Sequence, residues 1–377
     1  MFLNGTAFFT EAKMTKRNNL VELARFLFSI LVVGYHIQMT FLGDDINFFE
    51  NGALAVEFFF LISGYFLARS IEKISAKESY NPALESCRFM GNKVKGILPT
   101  HLTAIIAVIV VILACNLANS GNIILNGLPS IFLVQMVGVW TEAYASALIV
   151  PEWYLSSMLL CMLFIVPIAL LLRKKIKKGI LVIPILLGVL GVIAVIYGLC
   201  TNWAFTTTFV YDLRAWGEMC VGMFAYYLST VIAKKDLKTA PSVTLKVVEM
   251  ICYCAPIILG FIPISKSLEP VCMVVAVVCI FVAISITFAG KGVAVTNSKV
   301  NKAFGYLGSL SLAIYLFHPV IITLLEYVGG LKIWAIYAIV FAVSIVSAVI
   351  FNLIVMLFKR LIKSIKSRKA ENTEIAN

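Results

Sequence analysis

An arginine and a histidine in the first long apolar stretch open the chemical reading of this chain. Arg25 and His36 are eleven residues apart. At about 100° per residue that separation closes to within about 20° of three full helical turns, so both side chains share a helix face, about 16 Å apart along the axis. A permanent cation and a titratable imidazole so arranged suit a long substrate threaded along the helix, with its anionic end at the arginine and its reacting group at the histidine. A snorkelling arginine beside an unrelated, hydrogen-bonded histidine satisfies the same spacing. The next apolar stretch carries Glu57 in Val56-Glu57-Phe58-Phe59-Phe60, about two turns in and level with His36. A carboxylate there would hold one imidazole nitrogen, fix the tautomer and support the imidazolium. Ser63-Gly64 reads as a close helix-packing point, because no base is implied near the serine.

Further along, Ser311, Tyr315 and His318 follow an i, i+4, i+7 pattern and share one face. Pro319 removes a backbone hydrogen bond and is expected to open the helix locally, which suggests a water-filled cavity. An aromatic packing stripe with one satisfied histidine is the alternative. Asp212, Arg214 and Glu218 fall in another apolar stretch, and Arg214 and Glu218 are spaced for an i, i+4 ion pair that would serve structure alone. Arg88, Lys93 and Lys95 lie in the segment 88–99. Read as a loop below Arg25, that segment would either mark orientation or bind phosphates by charge.

Such residues need elements to carry them, and the composition names the solvent. Of 377 residues 61% are hydrophobic and 13% charged, with a net charge of +12. Soluble domains average roughly 45–50% apolar and about 25% charged, so soluble enzymes, disordered tails and disulfide scaffolds are excluded. The expectation is an all-α polytopic membrane protein. A crossing takes about 20 mostly apolar residues, and ten stretches qualify: 19–42, 51–71, 97–118, 151–172, 180–200, 208–230, 245–263, 269–289, 304–327 and 332–358. The apolar segment 123–139, interrupted by Gly127, Pro129 and Gly138, reads as interfacial or re-entrant. With ten spans and both termini cytoplasmic, 27 of the 31 Lys and Arg fall on the cytoplasmic side, and the outer segment 118–150 has none. The positive-inside rule demands that bias. The chain then divides into an N-terminal tail (1–18), a transmembrane domain (19–358) and a basic cytoplasmic tail (359–377), the last drawn to anionic lipid. Basic residues without interleaved aromatics argue against nucleic acid as a partner. The nine cysteines lie mostly in apolar runs and have no metal-ligand or redox spacing, so no metal site is expected. The first apolar run follows Lys13, Lys16 and Arg17, is too long for a signal-peptide core, and is expected to remain as a helix.

Four segments together resemble the membrane-bound acyltransferase-3 family, the integral O-acyltransferases of bacterial envelope glycans. They are Arg25-x10-His36, Glu57-Phe58-Phe59-x3-Ser63-Gly64-Tyr65, Trp153-Tyr154-Leu155-Ser156 and Leu310-Ser311-x3-Tyr315-Leu316-Phe317-His318-Pro319. The resemblance implies ten spans in a bacterial plasma membrane, acetyl-CoA or another acyl-CoA as co-substrate with no permanently bound cofactor, and an envelope glycan or lipid-linked sugar as acceptor. It makes His36 the essential histidine, acting as general base, with Arg25 its partner and Glu57 at the family's acidic position. Arg88, Lys93 and Lys95 would stand on the donor side, where many members carry arginines before a proline. Lysine there lacks arginine's bidentate fork. Trp153 and Tyr154, placed at the outer mouth, would stack on a sugar or belong to an interfacial aromatic belt. His318, Tyr315, Ser311, Arg214 and Glu218 would line the acceptor side of a cavity. A polysaccharide exporter or proton-coupled transporter would use the same intramembrane charges. Many carriers, however, have paired broken helices in two related halves, and this sequence does not.

Overall fold

Lipid offers no hydrogen bonds to a peptide group, so an apolar chain must satisfy its backbone within each crossing, and helices do this. The computed structural model describes residues 18–42, 48–137, 147–175, 188, 207–236, 239–265 and 267–375. Its helices are α1 (Asn19–Phe41), α2 (Ala55–Ser75), α3 (Pro82–Cys115), the short α4 (Ser120–Asn126) and α5 (Leu128–Ile131), α6 (Trp153–Lys175), α7 (Thr207–Ala233), α8 (Thr239–Phe261), α9 (Glu269–Phe288), α10 (Ser298–Val328) and α11 (Ile333–Ile375). No strand occurs among the described residues. Eight of these helices are long and apolar enough to cross a membrane. α7 is of spanning length too but carries Asp212, Arg214 and Glu218. The protein is an all-α, multi-pass membrane protein. The expected span over 180–200, Gly188 apart, lies outside the described residues.

Side-chain caps set several helix starts. Asn18 accepts from Leu20 N at 3.0 Å, Asn81 from Ala83 N and Leu84 N at 3.0 and 3.2 Å, and Asn297 from Lys299 N and Val300 N at 2.9 and 3.3 Å. Asn81 together with Pro82 in the first turn starts α3 far before the apolar run. The segment 88–99 is therefore helix, not a loop, and α3 continues through Pro99. α10 likewise continues through Pro319, which corrects the expected break. One missing hydrogen bond is not enough to end a helix whose other turns are packed on neighbours. The basic C-terminal stretch extends α11 to Ile375.

Segment 123–139 forms no spanning helix where it is described. Ile131 O lies 3.1 Å from His101 Nε2, and His101 is fourteen residues before the end of α3, a rise of about 21 Å. The segment thus folds back alongside α3 as a re-entrant one would. Met136 N donates to Ser156 Oγ and Leu148 N to Ser130 Oγ, each at 3.1 Å, and these bonds anchor it inside the protein.

α2 and α10 form the inside of the bundle, with 72% and 67% of their spanning windows buried. α8 and α11, at 22% and 17%, form the rim. α1 packs along α10 and α2 along α7. At the second crossing two glycines bring the backbones into contact. A Cβ on Gly64 would collide with Met219 O, and one on Gly222 with Leu61 O. This is the small-residue approach that packs helices tightly in lipid. Gly222→Ala should therefore force α2 and α7 apart and lower stability by about 1–3 kcal/mol, which thermal melting of the detergent-solubilised variant against wild type will measure.

Candidate active site

α1 and α10 run together and bring two histidines face to face. The rings of His36 and His318 have centroids 5.1 Å apart. His36 Nδ1 lies 2.9 Å from Val32 O, and His318 Nδ1 lies 3.2 Å from Ile314 O, each the carbonyl four residues back on its own helix. A carbonyl only accepts, so each Nδ1 carries the hydrogen and each Nε2 keeps its lone pair. The carbonyl of Tyr315 loses its usual donor at Pro319. His318 Nε2 and Ser311 Oγ are buried and have no partner among the described residues. The Tyr315 hydroxyl donates to Pro151 O, tying α10 to the turn before α6. His36 lines a cavity of about 310 Å³, walled by Val108 and Ile112 of α3, Leu148 and Val150 before α6, and Ile322 of α10. Ser311, Tyr315, His318 and His36 are thus gathered along one seam.

Glu57 does not orient His36. Its carboxylate forms a close ion pair with Arg214, whose Nε also donates to Glu218 Oε1 at 3.0 Å. The guanidinium further lies 5.9 Å from the Trp153 ring centroid. A buried permanent cation loses more by desolvation than a neutral imidazole does, so it takes the carboxylates. Nearby, Ser157 donates to Asp212 at 2.5 Å. The expected Arg214–Glu218 pair is present, and Glu57 joins it from α2.

At the other end of α1, Arg25 bonds Glu22 at 3.4 Å. Lys93 of α3 is half-buried and within electrostatic range of Arg25. Lys95 is exposed, two residues and hence about 200° further round the helix. Arg88 is also exposed and held by Glu85 at 3.0 Å. Of the three expected donor-side cations, Lys93 is therefore the one the fold brings towards Arg25.

Trp153 and Tyr154 are not at an outer mouth. Both are buried, at 8% and 7% exposure. The Trp153 and Tyr211 rings lie with centroids 4.7 Å apart, tilted by 32°. The Tyr154 hydroxyl donates to Phe59 O and lies 3.1 Å from Ser63 Oγ, and Met158 Sδ is within reach of both hydroxyls. Both rings are inside because α6 begins beneath the folded-back segment, so the aromatic-belt reading is set aside. Ser63 has no base beside it among the described residues.

One buried histidine–glutamate pair was absent from the sequence expectations. His101 and Glu152 are fully buried, with Nδ1 2.6 Å from Glu152 Oε1 and Nε2 on Ile131 O. The signal was available, since both are ionisable residues at the ends of apolar runs, the criterion that singles out Arg25 and His36. This pair fastens α3, the folded-back segment and the start of α6. His101→Ala leaves Glu152 buried and unpaired, with an expected loss of about 3–5 kcal/mol in stability, readable as a lower melting temperature in detergent.

The model of the acyltransferase-3 family, an acyltransferase domain, matches residues 18–353. The chain belongs to the acyltransferase-3 family. No curated protein and no solved structure matches it. The acyltransferase-3 match runs from the cap of α1 into α11, so every side chain of this site lies within it. The protein is a membrane acyltransferase, with an acyl donor and an acceptor as its substrates.

Proposed function

We propose that this acyltransferase-3 protein moves an acyl group, acetyl by default, from acyl-CoA to a hydroxyl of a cell-envelope carbohydrate at the bacterial plasma membrane, with His36 as general base. One observation carries the proposal: His36 commits Nδ1 to Val32 O and keeps Nε2 as a lone pair, beside a cavity. Arg25 and Lys93 mark the donor end, on the side that the Lys and Arg bias assigns to the cytosol. The phosphates of the coenzyme would sit there, and the pantetheine arm would follow the α1 face for about 16 Å to bring the thioester to His36. Nε2 takes the proton of the acceptor hydroxyl as its oxygen attacks the thioester carbonyl. The C–S bond then breaks, and the departing thiolate receives the proton from His36. A positioned base supplies typically 10²–10⁴-fold, and holding both reactants in one cavity supplies more.

Two measurements test this reading. Membranes containing the protein should release free CoA from acetyl-CoA when envelope glycan is present; release that does not depend on glycan contradicts acyl transfer to it. Arg25→Ala should raise the KM for acetyl-CoA about tenfold or more, the equivalent of one charged hydrogen bond, and change the acceptor KM far less. An unchanged acetyl-CoA KM removes Arg25 from the donor path.

A further inference from the structure

The polar groups around the His36 cavity differ in kind from those at the Arg25 end. Besides His36 they are Thr40, Thr323, Glu326 and Tyr327, and no described residue around the cavity is a lysine or arginine. The nearest cation on the α1 face is Arg25, about three turns away.

Taking this cavity as the acceptor site, we infer that the sugar residue it accepts is uncharged: a neutral hexose, deoxyhexose or similar polyol, not a uronic acid or a phosphate-bearing sugar. A carboxylate or phosphate entering here would exchange water for Val108, Ile112, Leu148 and Ile322, with Glu326 in the lining and no lysine or arginine among the described lining residues to repay its desolvation. A neutral polyol meets none of that cost. The hydroxyls of Thr40, Thr323 and Tyr327 both donate and accept, as a hydroxyl-rich ligand requires. The volume of about 310 Å³ lies at the bottom of the range for ligand pockets. That is room for one sugar unit presented by a chain. The two ends are thus complementary to two different substrates: cations for a phosphate-rich donor, hydroxyls and an apolar wall for an uncharged acceptor.

The inference rests on the acyl-transfer reading, and one experiment separates them. Envelope glycans from cells with and without the gene are compared by tandem mass spectrometry, and the residue bearing the gene-dependent acyl group is identified. The expected result is an acyl ester on an uncharged sugar. Gene-dependent acylation of a uronic acid or of a phosphate-bearing residue overturns the inference and leaves acyl transfer standing. Identical acylation in both strains overturns the acyl-transfer reading, and the acceptor inference with it.

Discussion

His36→Ala is expected to lower glycan acylation by about 10²–10⁴-fold while the protein accumulates in the membrane at its wild-type level. The ring hydrogen-bonds along its own helix, to Val32 O, so removing it leaves no distant partner unsatisfied. The loss should fall on kcat, because the imidazole moves a proton in the transition state and is far from the coenzyme phosphates, so acetyl-CoA KM should move less than about threefold. His36→Gln is the sharper variant. Its amide can still donate to Val32 O, but it presents no basic lone pair to the cavity, and the loss should equal that of alanine. Steady-state rates on purified protein in nanodiscs, with radiolabelled acetyl-CoA, will read both. A glutamine variant with more than a tenth of wild-type activity would mean that His36 is a packing residue.

Arg214→Ala should be at least as destabilising as His101→Ala. It leaves Glu57 and Glu218, both buried, facing each other without the cation that both now bind. Stripping the partner from a buried charge costs about 3–5 kcal/mol, a large part of the 5–15 kcal/mol that typically holds a fold. Arg214→Lys should recover only part of this, since one ammonium cannot reproduce the Nε and Nη2 contacts to two carboxylates. The triple variant Arg214→Met, Glu57→Gln, Glu218→Gln removes all three charges and should melt well above Arg214→Ala. Thermal unfolding in detergent orders the four proteins. An alanine variant that melts with wild type would show that the cluster contributes nothing to the fold.

What could be read from the sequence follows physical range. Crossing lengths are local, and described helices correspond to nine of the ten expected stretches. The Arg25–His36 spacing lies on one helix, so 100° per residue is enough to place both on one face. The partner of Glu57 was not legible, because Arg214 is 157 positions away and the choice between it and His36 depends on how α2, α7 and α1 pack. The helical state of 88–99 is legible in the Asn81-Pro82 start signal, which outweighs the loop-like charges that follow it. The depth of Trp153 and Tyr154 depends on the segment before them folding back to His101, a contact no periodicity encodes.

The central claim is a path from the Arg25 end of α1 to the His36 cavity at the other end, with donor and acceptor arriving from opposite faces of the membrane. Sealed inside-out vesicles containing the protein, loaded with acceptor glycan and given radiolabelled acetyl-CoA outside, test it directly. Label should appear on the enclosed glycan in wild-type vesicles and be absent with His36→Gln. Labelling that required both substrates on the same side would contradict the path.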